Sequence, residues 1–266
     1  MKILRKGRCV WLVAGILPAV LAAALLAWLS LRGETYQDHS LDWWLTEASS
    51  AHQSGPDLRR LETAQRAVRH FGTNALPTLL RRLKAEDSRV KQIAMQLLGH
   101  QSIMRVPLTS AEEKHLQASL GYIALGPVAS QHLPELIVCL TNDSRSEVRL
   151  VAAGALGGIG PGASLAVPAL LGALKDSEWR VRFNALSALD TIHPKLDAVL
   201  TNLIESLEDS QSPCRASAAE ALGNYGAAAS AAIPALKRAL TNNSAAKSAL
   251  SRIESKSAAE GEVKIH

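Results

Sequence analysis

A chain that repeats itself every 33 residues or so has few folds open to it. Each unit is too short to bury its own apolar face, so the units must stack on one another and share a continuous core. Val148-Arg149, Val181-Arg182 and Cys214-Arg215 stand 33 residues apart, and Asp143, Asp176 and Asp209 keep the same step. So do Ala152, Ala185 and Ala218, and likewise Leu156, Leu189 and Leu222. Gly126, Gly160, His193 and Gly226 close successive units at steps of 34, 33 and 33, with one extra residue between Leu140 and Asp143. Pro134, Pro168 and Pro234 open the helix that follows, and Thr201 takes that place in one unit.

Two helices account for each unit. AVPALLGAL (166–174) spaces Val167, Leu170, Leu171 and Leu174 along one helical stripe, and its proline falls in the first turn, where a missing N–H costs nothing. A turn with Asp143, Asp176 or Asp209 comes next, placed to act as a cap. VRFNALSALDTI (181–192) then lines up Val181, Ala185, Ala188, Leu189 and Ile192, and the small alanines let neighbouring helices approach. Only 4% of residues are aromatic, which suits close-packed helices better than sheets. A less regular unit precedes these. A helix over 59–71 ends at Gly72, ALPTLLRRL (75–83) matches the first helix, and Val90-Lys91, Ala94 and Leu98 match the second. Gly72 to Gly126 spans 54 residues where two units would need 66, so the helix expected near 100–110 is shortened or irregular around HQSIMRVPLTS. Ser110 and Glu113 form a capping box for the helix that resumes there.

The pattern P-x-L-x-x-x-L, a turn with Asp, V-R-x-x-A-x-x-A-L and G-P resembles HEAT repeats, and in particular the bacterial HEAT-like units related to phycobilisome lyase repeats. The resemblance covers residues 57–253. It implies an all-α, right-handed HEAT-type α-α superhelix of about five units, a fold used mostly as a binding scaffold with the second helices lining a concave face. Some HEAT-repeat proteins are enzymes. Deoxyhypusine hydroxylase holds two irons through His-Glu dipeptides, but none of the eight histidines here is followed by Glu. A lyase-like, chromophore-processing accessory role stays open as an alternative.

GALGGIGPGA (154–163) satisfies G-x-G-x-x-[G/A] through Gly158, Gly160 and Ala163, the fingerprint of a dinucleotide-binding turn. That turn needs a strand before it and a helix N-terminus after it, so that phosphate meets free backbone N–H groups. Here a helix precedes it, and Gly160 has repeat equivalents at Gly126 and Gly226, so it reads as a helix C-terminus in a left-handed cap. Cys9, Cys139 and Cys214 form no C-x-x-C pair or Cys/His cluster and read as single thiols. No catalytic residue, cofactor or metal is expected.

Residues 9–31, CVWLVAGILPAVLAAALLAWLSL, carry no charge, and about 20 apolar residues suffice to cross a bilayer as a helix. Trp11 and Trp28 lie near its two ends, and Lys2, Arg5, Lys6 and Arg8 precede it. Residues 1–8 then read as a basic cytoplasmic N-terminus, and 9–31 as an inner-membrane anchor, with a cleaved signal segment as the alternative. Either reading exports the repeats. Residues 33–56 read as a linker and an N-terminal cap helix in which Ser40 caps and Leu41, Trp44 and Leu45 pack on the first repeat. Residues 254–266 are polar and aperiodic and read as a disordered tail.

Residues 32–266 hold 25 basic and 24 acidic side chains, a balance that predicts no nucleic-acid partner. Residues 57–105 hold ten basic and four acidic ones, which fits a solvated face or a contact with anionic lipid or an acidic partner. Arg149, Arg182 and Arg215 fall at one position of successive second helices. They are either a structural network with Asp143, Asp176 and Asp209 or a ladder that contacts a protein or an anionic ligand. The expectation is a membrane-anchored, non-catalytic scaffold that binds a protein partner, with an envelope adaptor for an anionic ligand as a further alternative.

Overall fold

The computed structural model describes residues 34–53, 55, 57–99, 109–241 and 243–263. The expected anchor over 9–31, the basic residues before it and most of the irregular stretch over 100–110 lie outside them.

Helices stack in two layers. The first-helix layer holds α1 (Leu41–Gln53), α3 (Leu76–Leu83), α6 (Leu133–Asn142), α8 (Val167–Ala173), α10 (Leu196–Ser206) and α12 (Ile233–Ala239). The second-helix layer holds α2 (Leu58–Phe71), α5 (Ala111–Leu125), α7 (Ser146–Ile159), α9 (Trp179–Ile192), α11 (Ser212–Tyr225) and α13 (Ser244–Val263). Every second helix packs on its own first helix and on the next second helix along the stack. Among the described first helices α6 and α8 pack on each other to a lesser extent, so neighbouring units meet mainly through their second helices. Leucine and alanine fill the core, with Leu79, Leu136, Leu156, Leu170, Leu189 and Leu203 all at 1% exposure or less.

Backbone chemistry sets the joints. Gly126, Gly160 and Gly226 end their helices at φ 55, 71 and 59 with ψ −130, −144 and −139. These pairs have positive φ but lie outside the left-handed helical region expected for the cap, and only a residue without Cβ adopts them at little cost. A 3-10 segment follows each glycine, and the next α-helix begins one residue before its proline, as at Val167-Pro168 and Ile233-Pro234. His193 carries a Cβ and takes the true left-handed conformation instead (φ 51, ψ 56). No 3-10 segment follows it. Thr201 sits where the others have proline, so α10 starts early and runs 11 residues against seven in α8 and α12.

Four expectations change. The second helix paired with α3 is α5, not the segment at Val90-Lys91. That segment forms α4 (Arg89–Gly99), which leaves Val90 and Ile93 exposed and buries no side chain over 89–96. Residues 84–110 are thus an excursion between two halves of one pair, which accounts for the step of 54. Residues 34–53 are more than a linker and cap: a hairpin (β1 Thr35–Tyr36, β2 His39–Ser40) leads into α1, which forms a pair of its own with α2. The described stack therefore has six pairs rather than about five. Finally, α13 continues to Val263, so the part of the expected tail that is described is helical.

Length and composition alone would let Ala111–Asn142 and Ser146–Ala173 pass as membrane spans. Each is instead two helices broken at a positive-φ glycine, with its leucines in the shared core.

Candidate functional site

Two arginines of the ladder, Arg149 and Arg182, reach forward to the next unit. Arg149 donates Nε and Nη2 to the two oxygens of Asp176 at 2.7 and 2.8 Å, and Arg182 grips Asp209 in the same way at 2.7 and 2.8 Å. The Nη1 groups turn back to their own loops. Arg149 donates to the carbonyls of Asp143 and Ser144, Arg182 to those of Asp176 and Ser177, and Arg215 to those of Asp209 and Ser210. Four of the five N–H donors of Arg149 and Arg182 are thereby used inside the chain. Both ion pairs are largely buried, at 15% and 10% side-chain exposure for Arg149–Asp176 and 13% and 10% for Arg182–Asp209.

The aspartates are not the caps expected of them. Oδ1 of Asp143, Asp176 and Asp209 accepts the N–H two residues on, from Arg145, Glu178 and Gln211 at 3.0, 2.9 and 2.8 Å. Those three residues occupy the N-cap positions, so each aspartate closes the turn that delivers the cap. The guanidinium hydrogen bonds, with the backbone N–H second to them, hold Asp176 and Asp209 below the usual carboxylate range. The ladder changes at its N-terminal end, where His115 stands at the arginine position and touches the Ala85 carbonyl at 3.1 Å. Asp143 is gripped instead by Arg145, whose Nη1 also reaches Glu86 and the Lys84 carbonyl, tying the 84–110 excursion to the stack.

Open space lies over the second helices. A groove of about 810 Å³ runs over α5, α7 and α9, lined by Leu116 and Leu150, by Glu112 and Glu147, and by residues 85–87 and Gln92 of the excursion. A second hollow of about 490 Å³ shares Ser119 and Asn184 with it and continues over Gly154, Gly157, Gly158 and Ser187 to Ile123 and Thr191. Leu116, Leu150 and Phe183 stand at the same repeat position, and Phe183 is 37% exposed and Ile123 48%. A trough of small side chains thus adjoins the apolar row of Leu116, Leu150 and Phe183, with Ile123 at its other end. Asn184 spans it from beneath, donating to the Leu150 carbonyl at 3.0 Å.

Three glycines of the GALGGIGPGA stretch whose packing role sequence reasoning missed, Gly154, Gly157 and Gly158, line the trough. A Cβ on Gly157 would meet Cα and Cβ of Ala188 at 3.1 and 3.2 Å, and one on Gly158 would meet Cα, Cγ1 and N of Ile123 at 3.0, 3.3 and 3.3 Å. α7 therefore approaches α9 and α5 backbone to backbone. The available signal was that Gly154, Gly157 and Gly158 stand where the next unit has Ser187, Asp190 and Thr191.

Other polar side chains bridge units without forming a reactive group. Asp190 accepts both of its bonds from Asn224 at 2.8 and 2.9 Å, and Arg252 donates to Asn224 Oδ1 at 2.7 Å. Burial pushes the Cys214 thiol up to about 11 and raises that of Cys139, so neither is a ready nucleophile. Among the described residues no group of three or more His, Cys, Asp or Glu is placed to hold a metal ion.

Residues 133–223 match the family model for HEAT repeats, and residues 215–242 match that for the PBS lyase HEAT-like repeat. No curated protein matches the chain.

Proposed function

We propose that this HEAT-repeat protein is a membrane-anchored, non-catalytic scaffold that binds a protein segment along its second-helix face. HEAT repeats typically serve as such scaffolds. The trough over α5, α7 and α9 carries the reading, because its small residues beside the apolar Leu116, Leu150 and Ile123 suit a packed peptide or helix. In this reading Arg149, Arg182 and Arg215 serve the scaffold, since four of the five donors of Arg149 and Arg182 and the Nη1 group of Arg215 already bond within it. The apolar run over 9–31 and the basic residues before it support a single-pass anchor in the plasma membrane, with the repeats outside the cytoplasm.

A photocrosslinking amino acid at Leu150 or Ile123, compared with one at Val138 on the first helix α6, tests the binding face. Partner crosslinks from the first two positions and not from Val138 are expected. Crosslinks from Val138 alone would place the partner on the other layer and overturn the reading.

A further inference from the structure

We infer that the N-terminal end of the stack rests directly on the phospholipid surface through Trp43, His39, Arg66 and Arg69, so that the anchor holds the stack at a fixed attitude. This rests on the proposal that residues 9–31 span the bilayer.

Chain length makes the contact hard to avoid. Glu34 is fixed to the stack: its carboxylate accepts from Asn74 Nδ2 at 2.9 Å, just past the end of α2. The hairpin behind it is equally fixed. The Tyr36 ring lies 4.6 Å from His70, and the Tyr36 carbonyl accepts from Trp44 Nε1 at 3.0 Å. Leu31, the last residue of the apolar run, is three residues before Glu34. Three residues reach at most about 11 Å, and the headgroup layer on each side of a bilayer is roughly 5–8 Å deep. A spanning segment that ends at Leu31 thus brings the hairpin and the adjoining end of α2 to the headgroups.

What that end presents suits the place. Trp43 is 42% exposed and stacks on His39 with ring centroids 3.7 Å apart. With Tyr36 and Trp44 these rings form an aromatic group of the kind that settles at membrane interfaces. Arg66 lies one helical turn before His70 and Arg69 immediately before it, and both are exposed on α2. A lipid phosphate within their reach could accept from either guanidinium. The acids nearby at least balance the two arginines in charge. Asp42 is paired with Arg82 and Glu47 with Arg60, which leaves Glu34, bonded only to the neutral Asn74 amide, Asp38 at the hairpin tip and Glu62 on α2 against the two arginines. Contact is therefore carried by aromatic rings and phosphate hydrogen bonds more than by net charge.

The test uses the full chain in a Cys9→Ser background, reconstituted in vesicles of phosphatidylcholine with or without phosphatidylglycerol. A fluorophore is placed at Thr35→Cys or, at the far end of the stack, at Ser230→Cys, and the lipids carry a headgroup nitroxide. At least threefold stronger quenching at position 35 than at 230, in both lipid mixtures, is expected. In a Trp43→Ser/Arg66→Gln/Arg69→Gln variant of the same circular dichroism spectrum, fluorophore anisotropy at 230 should fall as the stack swings free. Equal, weak quenching at both positions in a chain that resists carbonate extraction would overturn the docking and leave the anchor standing. Release of the chain by carbonate, or loss of residues 1–31, would overturn anchor and docking together.

Discussion

Gly158→Ala should destabilise the stack, while the same substitution at Gly172, also within a helix, should not. Both exchanges gain the helix propensity of alanine over glycine, up to about 1 kcal/mol, so the difference between them isolates packing. At Gly172 the added methyl meets nothing within 4 Å. At Gly158 it meets Cα and N of Ile123 at 3.0 and 3.3 Å, and these are backbone atoms of α5 that no rotamer change can move aside. Relief requires α5 and α7 to separate by several tenths of an ångström, and overpacking of this kind costs about 1–3 kcal/mol. Gly158→Ala should therefore come out about 1 kcal/mol less stable than wild type, and about 2 kcal/mol less stable than Gly172→Ala. Urea unfolding of the chain in detergent, followed by far-ultraviolet circular dichroism, measures both on one scale. Equal stabilities for the two variants would refute the close-approach account of the trough, whatever either value is relative to wild type.

The ion pairs make a pH-dependent prediction. Because Arg149 and Arg182 lower the folded-state pKa of Asp176 and Asp209, these pairs stabilise fully above the ordinary aspartate value of about 3.9 and lose that stabilisation as pH falls below it through the lowered folded values. Asp176→Asn/Asp209→Asn should remove that acid-sensitive component, and Arg182→Ala should cost about 2 kcal/mol at neutral pH. Burial lowers the pKa of His132, whose Nδ1 lies 3.0 Å from the Tyr122 hydroxyl. Its contribution should be complete above about 6.5 and decline as pH falls from there through the folded value; a His132→Gln variant with the same decline in unfolding midpoint would contradict this. Cys139 and Cys214, both buried, should resist iodoacetamide at about pH 8 in the folded chain and react once urea unfolds it; native labelling of either would show the core to be open there.

The sequence by itself determined what is written within a few residues. Proline in the first turn fixed where α3, α6, α8 and α12 begin, and Gly126, Gly160 and Gly226 fixed where their predecessors end, because those constraints act on a single φ or a single missing N–H. The step of 33 announced a stacked all-α array for the same reason: matching apolar stripes recur only if matching faces are buried. Only the tertiary structure decided between segments that satisfy the local rules equally well. α4 has a helical apolar pattern, yet α5 takes the place beside α3, burying Ala118, Tyr122 and Leu125 where α4 leaves Val90 and Ile93 in solvent. That choice is a competition for burial between segments far apart in the chain, and no local pattern encodes its outcome. The arginines show the same limit. Their alignment could be read from the spacing, but the grip of Arg149 and Arg182 on an aspartate 27 residues ahead, which bonds one unit to the next, depends on how one layer meets the next.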